Sequence, residues 1–117
     1  QKLSMKSSDE MLMDRIMKVI NENISNPELN VEMLATNVGL SRVHVHRKLK
    51  ELTNLSAREF IKNIRLQQAA ALLKEKKLTV SEVAYATGYT NLSHFSSSFK
   101  EAHGMSPKEY MQMHQEN

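Results

Sequence analysis

Residues 31–61, VEMLATNVGLSRVHVHRKLKELTNLSAREFI, are repeated in residues 80–111 as VSEVAYATGYTNLSHFSSSFKEAHGMSPKEYM, with one inserted residue near Asn91. The two copies share helix starts, helix stops and apolar positions, so the sequence predicts one structural unit that is present twice. The corresponding residues include Ala35 with Ala84, Gly39 with Gly88, His44 with His94, Val45 with Phe95, Leu49 with Phe99, Lys50 with Lys100, Ser56 with Ser106 and Glu59 with Glu109.

Each copy has the features of a helix-turn-helix unit. A short predicted helix carries a small residue, Ala35 or Ala84, four positions before a glycine. The alanine lets two helices approach closely, and the glycine accepts turn dihedral angles that a side chain would resist. One such spacing is common in helical proteins, but two copies in register, each followed by a capped helix, predict a tandem pair of these units.

The other helix signals extend this pattern to the whole chain. A serine, threonine or asparagine cap precedes each predicted helix, and few glycines or prolines are left for the turns of a β fold. The sequence therefore predicts an all-α protein of seven helices, forming two helix-turn-helix subdomains joined by a long linker helix. The first helix is expected to end near Ser25-Asn26-Pro27, and the fifth at Gly88. The predicted parts are a flexible tail at 1–8, a first subdomain at 9–55, the linker helix at 56–76 and a second subdomain at 77–117.

The composition excludes several classes of protein. The chain has no cysteine, which excludes disulfides and thiolate metal sites. It has no run of 18 apolar residues, and its first 20 residues carry charges throughout, so neither a membrane span nor a signal peptide is expected. The sequence begins with Gln1 rather than Met, so we expect a fragment or a processed product. No cofactor is expected.

Positive charge is concentrated in the middle of the chain. Residues 31–78 hold ten basic and four acidic side chains, a net charge of +6, whereas residues 1–30 and 79–117 have net charges of −1 and −2. A positive field of this kind favours binding to phosphates. Charge alone is equally compatible with a solvated basic helix surface.

The chain resembles the DNA-binding domain of the AraC/XylS family of bacterial transcription regulators over about residues 10–112. The resemblance implies double-stranded DNA as a partner, contact with RNA polymerase as an activator, and a cytoplasmic location. The first helix and its Asn-Pro break further resemble the C-terminal output domain of hybrid two-component regulators, which implies sensor or receiver domains upstream of this fragment. The segments that carry the resemblance are Leu34-Ala35, Gly39-Leu40-Ser41-Arg42, Ile64-Arg65-Leu66, Ala70-Ala71-Leu72-Leu73, Val80-Ser81-Glu82-Val83-Ala84, Gly88-Tyr89, His94-Phe95, Phe99-Lys100, Gly104, Ser106-Pro107 and Tyr110.

The third predicted helix has one apolar and one basic side. At about 100° per residue, Val45, Leu49 and Leu52 cluster on the core side of the helix. Arginine can grip guanine in a bidentate fork, and a small apolar side chain can contact a thymine methyl group, so the opposite side suits the major groove. The predicted DNA-contacting residues of this helix are Arg42, Val43, His46, Arg47 and Lys50.

The sixth predicted helix has the same construction but a different outer face. Its core side holds Phe95, Phe99 and Ala102. The resemblance implies that the outer side faces the groove, yet Ser97 stands where the family often has arginine. We therefore predict that the first unit carries most base discrimination and that the second mainly positions the domain through phosphates and DNA shape. The predicted contacts here are Ser93, Ser96, Ser97 and Lys100.

The linker helix sets the separation of the two units. Its 19 or so residues span roughly 28 Å, close to the ~34 Å between major-groove segments on one side of a duplex. One chain is therefore expected to hold an asymmetric site about two turns long. Helix N-termini at Ser56 and Ser106 could receive phosphates. The candidate phosphate contacts are Arg58, Lys62, Asn91 and Lys108.

Three alternatives bear on function. His44 and His46 lie about 200° apart on a helix and cannot share an ion, so no metal site is expected; His44 and His94 are expected to be packed, hydrogen-bonded side chains. The serines at 96–98 have no glycine elbow and no base placed beside them, so no enzyme is expected. The second candidate function is a helical protein-interaction module that binds an acidic partner through its basic face.

Overall fold

Seven α-helices form the part of the chain that the computed structural model describes, residues 6–114, and this part contains no strand. The predicted all-α class and helix count are confirmed. The helices are α1 (Ser8–Glu22), α2 (Val31–Val38), α3 (Arg42–Thr53), α4 (Ala57–Glu75), α5 (Val80–Ala86), α6 (Leu92–His103) and α7 (Pro107–Met113).

Side-chain caps start every helix, as the sequence predicts. Four of the caps form complete capping boxes, in which the cap oxygen accepts the N3 backbone N–H and a glutamate at N3 accepts the cap N–H. The first of these boxes makes Ser7 the cap and Ser8 the first helical residue, so the predicted tail 1–8 is too long at its C-terminal end; residues 1–5 lie outside the described part. The boxes are at Ser7, Ser56, Thr79 and Ser106.

Two predicted helix ends are wrong by a few residues. α1 ends at Glu22, because Asn23 turns its N–H and its side-chain amide back to the carbonyl of Val19. α5 ends at Ala86 rather than at Gly88, because the hydroxyl of Thr87 donates to the carbonyl of Val83 at 2.9 Å and Gly88 departs with φ +91°. In both places a polar side chain closes the last turn before the predicted stop.

The first hydrophobic core is aliphatic. It is formed by α1, α2, α3 and the first half of α4, and its fully buried side chains include Ile16, Leu34 and Leu49. Leu52, predicted to lie in this core, is 38% exposed. It borders a shallow groove beside the first turns of α1, which the surrounding helices leave open.

The second core is built from aromatic side chains. Phe95 and Phe99 are fully buried among α4, α5, α6 and α7. The ring of Phe99 lies 5.3 Å from that of Tyr110 and 4.4 Å from that of His103, measured between centroids. Ala102, predicted to lie in this core, is exposed, because it stands in the last turn of α6, one turn beyond the buried Ser98 on the same face.

α4 contributes to both cores and holds them together. Its first half supplies Ile61 and Ile64 to the aliphatic core, and its second half supplies Leu66 and Leu73 to the aromatic one. Predicted subdomain boundaries at 55/56 and 76/77 stay predictions. Within residues 6–114 no helix is long and apolar enough to cross a membrane.

Candidate nucleic-acid interface

α3 is anchored by its apolar side and presents its basic side to solvent. The Ser41 hydroxyl accepts the N–H of His44 at 3.1 Å and starts the helix, and Val45 and Leu49 are fully buried. The opposite side is exposed and includes a valine with 66% of its surface accessible. All five residues predicted to contact DNA lie on the exposed surface: Arg42, Val43, His46, Arg47 and Lys50.

The charged groups on α3 differ in whether they already have an ion-pair or hydrogen-bond partner within the protein. The guanidinium of Arg42 lies 3.9 Å from the carboxylate of Glu32, and the Lys50 ammonium donates to the carbonyl of Asn54 at 3.3 Å. No carboxylate of the described residues lies within 4 Å of Arg47, so its guanidinium keeps its donors for an external acceptor. Arg47 is thus the best-placed side chain of this helix for a bidentate contact to guanine.

α6 presents a smaller, mostly neutral surface. The Asn91 side-chain oxygen accepts the N–H of His94 at 2.8 Å, so this predicted phosphate contact also serves as the helix cap. Ser93, Ser97 and Lys100 are exposed, whereas Ser96 is half-buried. The serine face therefore offers shorter and fewer contacts than the basic face of α3.

Ser98 belongs to the interior of the second unit. Its side chain is 5% exposed and forms a hydrogen bond with the Tyr89 hydroxyl. Burial raises the pKa of Tyr89, and the hydrogen bond from Ser98 opposes that rise. Of the three consecutive serines, only Ser97 is fully on the outer surface, with Ser96 at its border.

The N-terminal turns of α3 and α6 lack acidic residues, unlike those of the other five described helices. Acidic side chains in the first turn normally complement the helix dipole. In α3 and α6 the N3 position, which holds glutamate in the capping boxes, is taken by His44 and His94. Two N-termini free of negative charge can approach phosphates without repulsion.

The prediction of packed, hydrogen-bonded histidines at these two positions is wrong. His44 is half-buried and His94 is exposed, and within residues 6–114 their backbone N–H groups, not their imidazoles, form hydrogen bonds. The ring of His94 instead meets the ring of Tyr89 edge-on at 5.6 Å.

α3 and α6, the second or recognition helices of the two helix-turn-helix units, border one cleft. This cleft has a volume of about 650 Å³ and lies between the two helical units. Residues of its lining come from both units: His46 of α3, His94 of α6, and Arg58 and Lys62 of α4. The structure thus brings one predicted DNA-contacting residue of the first unit, His46, to the same opening as two predicted phosphate contacts of the linker helix, Arg58 and Lys62.

A glutamate carboxylate already lies at each of the helix starts at Ser56 and Ser106. The backbone N–H of each serine donates to a glutamate, Glu59 at 3.0 Å and Glu109 at 2.9 Å. Hydrogen bonds to the serine backbone and hydroxyl lower the pKa of both carboxyls, so both are ionised at neutral pH. Phosphate contacts in these places would have to come from the side chains of Arg58, Lys62 and Lys108.

These three side chains are exposed, but one has a partner. The Lys62 ammonium lies 3.7 Å from the carboxylate of Glu101 on α6. An exposed pair of this kind contributes little stability and opens easily. No group of three or more histidine or acidic side chains gathers to hold a metal ion in the described part of the chain.

Arg65 is not among the site residues predicted from the sequence. It lies between Ile64 and Leu66 in the middle of α4, is 8% exposed, and contacts the cleft from within. An arginine inside an apolar stripe is a signal that the sequence does contain, because a buried guanidinium requires a set of acceptors. Those acceptors are backbone carbonyls from distant parts of the chain, which no pattern identifies.

Comparison with known proteins places this geometry among DNA-binding domains. The model of a helix-turn-helix domain family matches residues 34–113. The C-terminal domain of AraT, a response regulator from Geobacillus stearothermophilus, has 29% identity and a TM-score of 0.84 and covers 95% of this chain and 92% of that one. The DNA-binding domain of AdpA, a global transcriptional factor solved in complex with a target DNA, has 25% identity and a TM-score of 0.77 and covers 87% and 90%.

Similarity to a curated relative extends over most of the chain but a small part of the relative. Histidine kinase P4 of Formosa agariphila is 31% identical over 97% of this chain and 8% of its own length. The chain spans less than half the length of each of the first curated relatives it matches.

Proposed function

Because the chain belongs to the AraC-type helix-turn-helix family of DNA-binding domains, we propose that it binds one asymmetric duplex site of about two turns by placing α3 and α6 in successive major-groove segments. The single observation that carries the proposal is the shared cleft, bordered by His46 of α3 and His94 of α6 above a floor that includes Arg58 and Lys62. Both recognition helices then face the same side of the molecule.

The two helices divide the work of recognition. α3 reads bases through Arg47, with Val43 against a thymine methyl group and Arg42, His46 and Lys50 beside it. α6 positions the domain through the hydroxyls of its serines and the Lys100 ammonium. The supporting observations are the exposure of these side chains, with Ser96 half-buried at the border, and the absence of acids from both N-terminal turns.

The linker helix contributes the sequence-independent part of binding. Arg58 and Lys62 project into the cleft between the recognition helices, where the phosphate backbone between two major-groove segments would run. Lys62 would exchange Glu101 for a phosphate. Lys108 and the side-chain amide of Asn91 add contacts at the ends of α7 and α6.

The domain acts as the output part of a larger bacterial transcription regulator. The relatives are much longer than this chain, and the AraT domain comes from a response regulator, which supports sensor or receiver domains elsewhere in the same protein. A cytoplasmic activator that contacts RNA polymerase, with no enzymatic activity in this domain, is the simplest form of such a protein. The division into units at 9–55, 56–76 and 77–117 is part of the same proposal.

Selection from a random duplex library, followed by affinity measurement on the selected site and on a shuffled one, tests the proposal. We expect a non-palindromic site of about 20 base pairs and a preference of about a thousandfold or more over the shuffled duplex at physiological salt. Equal affinity for both duplexes would contradict it. Tighter binding to an acidic helical peptide than to the selected duplex would favour the protein-interaction module instead.

A further inference from the structure

Arg65 joins the two helical units through three backbone carbonyls. Its Nη1 donates to the carbonyl of Ile24 at 2.5 Å and to that of Thr87 at 2.7 Å, and its Nη2 donates to the carbonyl of Asn26 at 3.0 Å. Ile24 and Asn26 follow α1 in the first unit, whereas Thr87 ends α5 in the second. One side chain of the linker helix therefore ties together segments that lie more than sixty residues apart.

No carboxylate of residues 6–114 pairs with this guanidinium, and its charge is balanced by backbone carbonyls. Ile24 and Asn26 lie just beyond the C-terminus of α1, and Thr87 caps the C-terminus of α5, so the cation sits at the negative ends of two helix dipoles. Burial lowers the pKa of Arg65, which remains charged because its ordinary value is far above neutrality. Only the planar fork of arginine can reach three acceptors in these directions; a lysine ammonium is a single point.

Gly88 is fitted to this arrangement. A Cβ atom at Gly88 would lie 1.6 Å from Nη1 of Arg65 and 2.6 Å from the carbonyl oxygen of Ile24. The equivalent glycine of the first unit, Gly39, would meet nothing within 4 Å. Both glycines have positive φ, so the turn explains both, but only Gly88 must also leave room for a neighbouring side chain.

We propose that Arg65 is a positioning residue that sets the distance and angle between α3 and α6, and thereby selects target sites by the spacing of their two halves. This inference rests on the proposed function. Among the described residues the two cores share no buried side chain, so α4, which contributes to both, and this set of hydrogen bonds hold one unit against the other, and the exposed Lys62–Glu101 pair adds little. Because Arg65 is almost fully buried, it acts without reading a base itself.

Spacing is a sharp geometric variable on DNA. One added base pair moves the second half-site by about 3.4 Å along the axis and turns it by roughly 35° around it. A rigid pair of recognition helices tolerates one spacing, whereas a hinged pair tolerates several at lower affinity, because some of the binding free energy is used to order the hinge.

Two variants at Arg65 and one matched control test the inference. Arg65→Lys keeps the charge and loses the fork, and Arg65→Met removes both. Gln68→Ala, one helical turn further along α4, removes an exposed hydrogen bond to the Asn21 side chain and leaves the three carbonyls that Arg65 joins untouched. Each protein is titrated with the selected duplex, with versions carrying one or two base pairs added or removed between the halves, and with the first half-site alone.

For the parent chain and Gln68→Ala we expect a loss of about tenfold or more for each base pair of altered spacing. For Arg65→Lys we expect about tenfold weaker binding at the preferred spacing, a loss of only about threefold per altered base pair, and half-site affinity within about twofold of the parent. A spacing profile parallel to that of the parent would overturn the proposal. A loss of half-site affinity equal to the loss on the full site would also overturn it.

A measurement without DNA separates this inference from the proposed function. The chain has no cysteine, so spin labels can be placed at Thr36→Cys on α2 and Tyr85→Cys on α5, two exposed and equivalent repeat positions. Pulsed electron resonance should give one narrow distance distribution for the parent and a broader one for Arg65→Lys. An unchanged distribution would overturn the positioning role, even if the parent binds DNA as proposed. Failure of the parent to prefer any duplex would contradict the proposed function and leave this distance test intact.

If Arg65→Met does not fold, as judged by circular dichroism, Arg65→Lys still decides the question, because its ammonium retains the charge and can reach one of the three carbonyls.

Discussion

α3 and α6 occupy equivalent places in the repeat, yet they differ in the side chains of both their inner and their outer faces. α3 has an aliphatic inner side and a basic outer side, whereas α6 has an aromatic inner side and a serine-rich outer side. Their caps correspond, and both first turns lack acids. A repeated unit can therefore keep its backbone hydrogen bonds while its core side chains and its surface side chains change independently.

The inner sides of α3 and α6 differ in how much stability one side chain provides, and in the second unit that side chain is the ring of Phe99. Phe99→Ala should lower the free energy of unfolding by about 3–5 kcal/mol, because it removes a fully buried ring that contacts Tyr110, His103 and Phe95. The equivalent Leu49→Ala should cost about 2–5 kcal/mol. Urea denaturation followed by circular dichroism measures both, and we expect a single transition because α4 belongs to both cores. A cost below 1 kcal/mol for Phe99→Ala would contradict the importance given to the aromatic core.

The outer sides should differ in base discrimination. Arg47→Ala is expected to weaken binding to the selected site by about 1–3 kcal/mol and to relax selectivity at one position, because it removes a bidentate contact. Ser97→Ala, at the second helix, should cost less and leave the selected sequence unchanged. Repeating the library selection with each variant measures the effect. Lys18→Ala, which removes one exposed charge from α1, is the control; an equal loss on random DNA for Arg47→Ala would refute its role.

Between the two helices, Lys62 should act on all sequences alike. Lys62→Gln is expected to reduce the slope of log affinity against log salt concentration by about one unit, because one phosphate contact is lost. The ratio of affinities for selected and shuffled duplexes should not change. Fluorescence anisotropy across a series of salt concentrations provides the slope, with Lys18→Gln as the matched control. If the slope stays at the parent value, Lys62 does not contact phosphate.

The smallest expected effect concerns the capping boxes, where the two units are alike. Glu59 and Glu109 have folded-state pKa values below the ordinary one, so their contribution to stability is present at neutral pH and is lost as pH falls through and below about 4.3. Glu59→Gln and Glu109→Gln should each flatten the decline of stability in this acidic range by a similar amount. Thermal unfolding from pH 6 to pH 3 measures it. A steeper decline in either variant would contradict the direction of the shift.

Local chemistry accounts for most of the fold that could be predicted. Caps, boxes and glycine stops act within one helical turn, so Ser41, Asn91 and Gly39 could be assigned from their neighbours alone. The two helix ends that were wrong depend on Asn23 and Thr87, whose side chains compete for the last carbonyls. Such competition is local too, but it has no strong sequence signature.

Predictions of burial were wrong where the packing of neighbouring helices decides whether a side chain is covered. A helical wheel places Leu52 and Ala102 inside, yet both are exposed, because they stand in the last turns of α3 and α6, and Leu52 borders a groove beside α1 that stays open. The predicted outer residues fared better, since charged side chains remain in water whatever the exact rotation of their helix, with Ser96 at the border.

The repeat, the order of the seven helices and the contrast between a basic and a serine-rich recognition helix can be predicted from the amino acids, because they follow from spacing, capping and charge within short segments. The hydrogen bonds of Arg65 to the carbonyls of Ile24, Asn26 and Thr87, and the cleft bordered by His46 and His94, emerge only from the packed molecule. Contacts of this kind join residues far apart in the chain, and their geometry exists only once both cores have packed against α4.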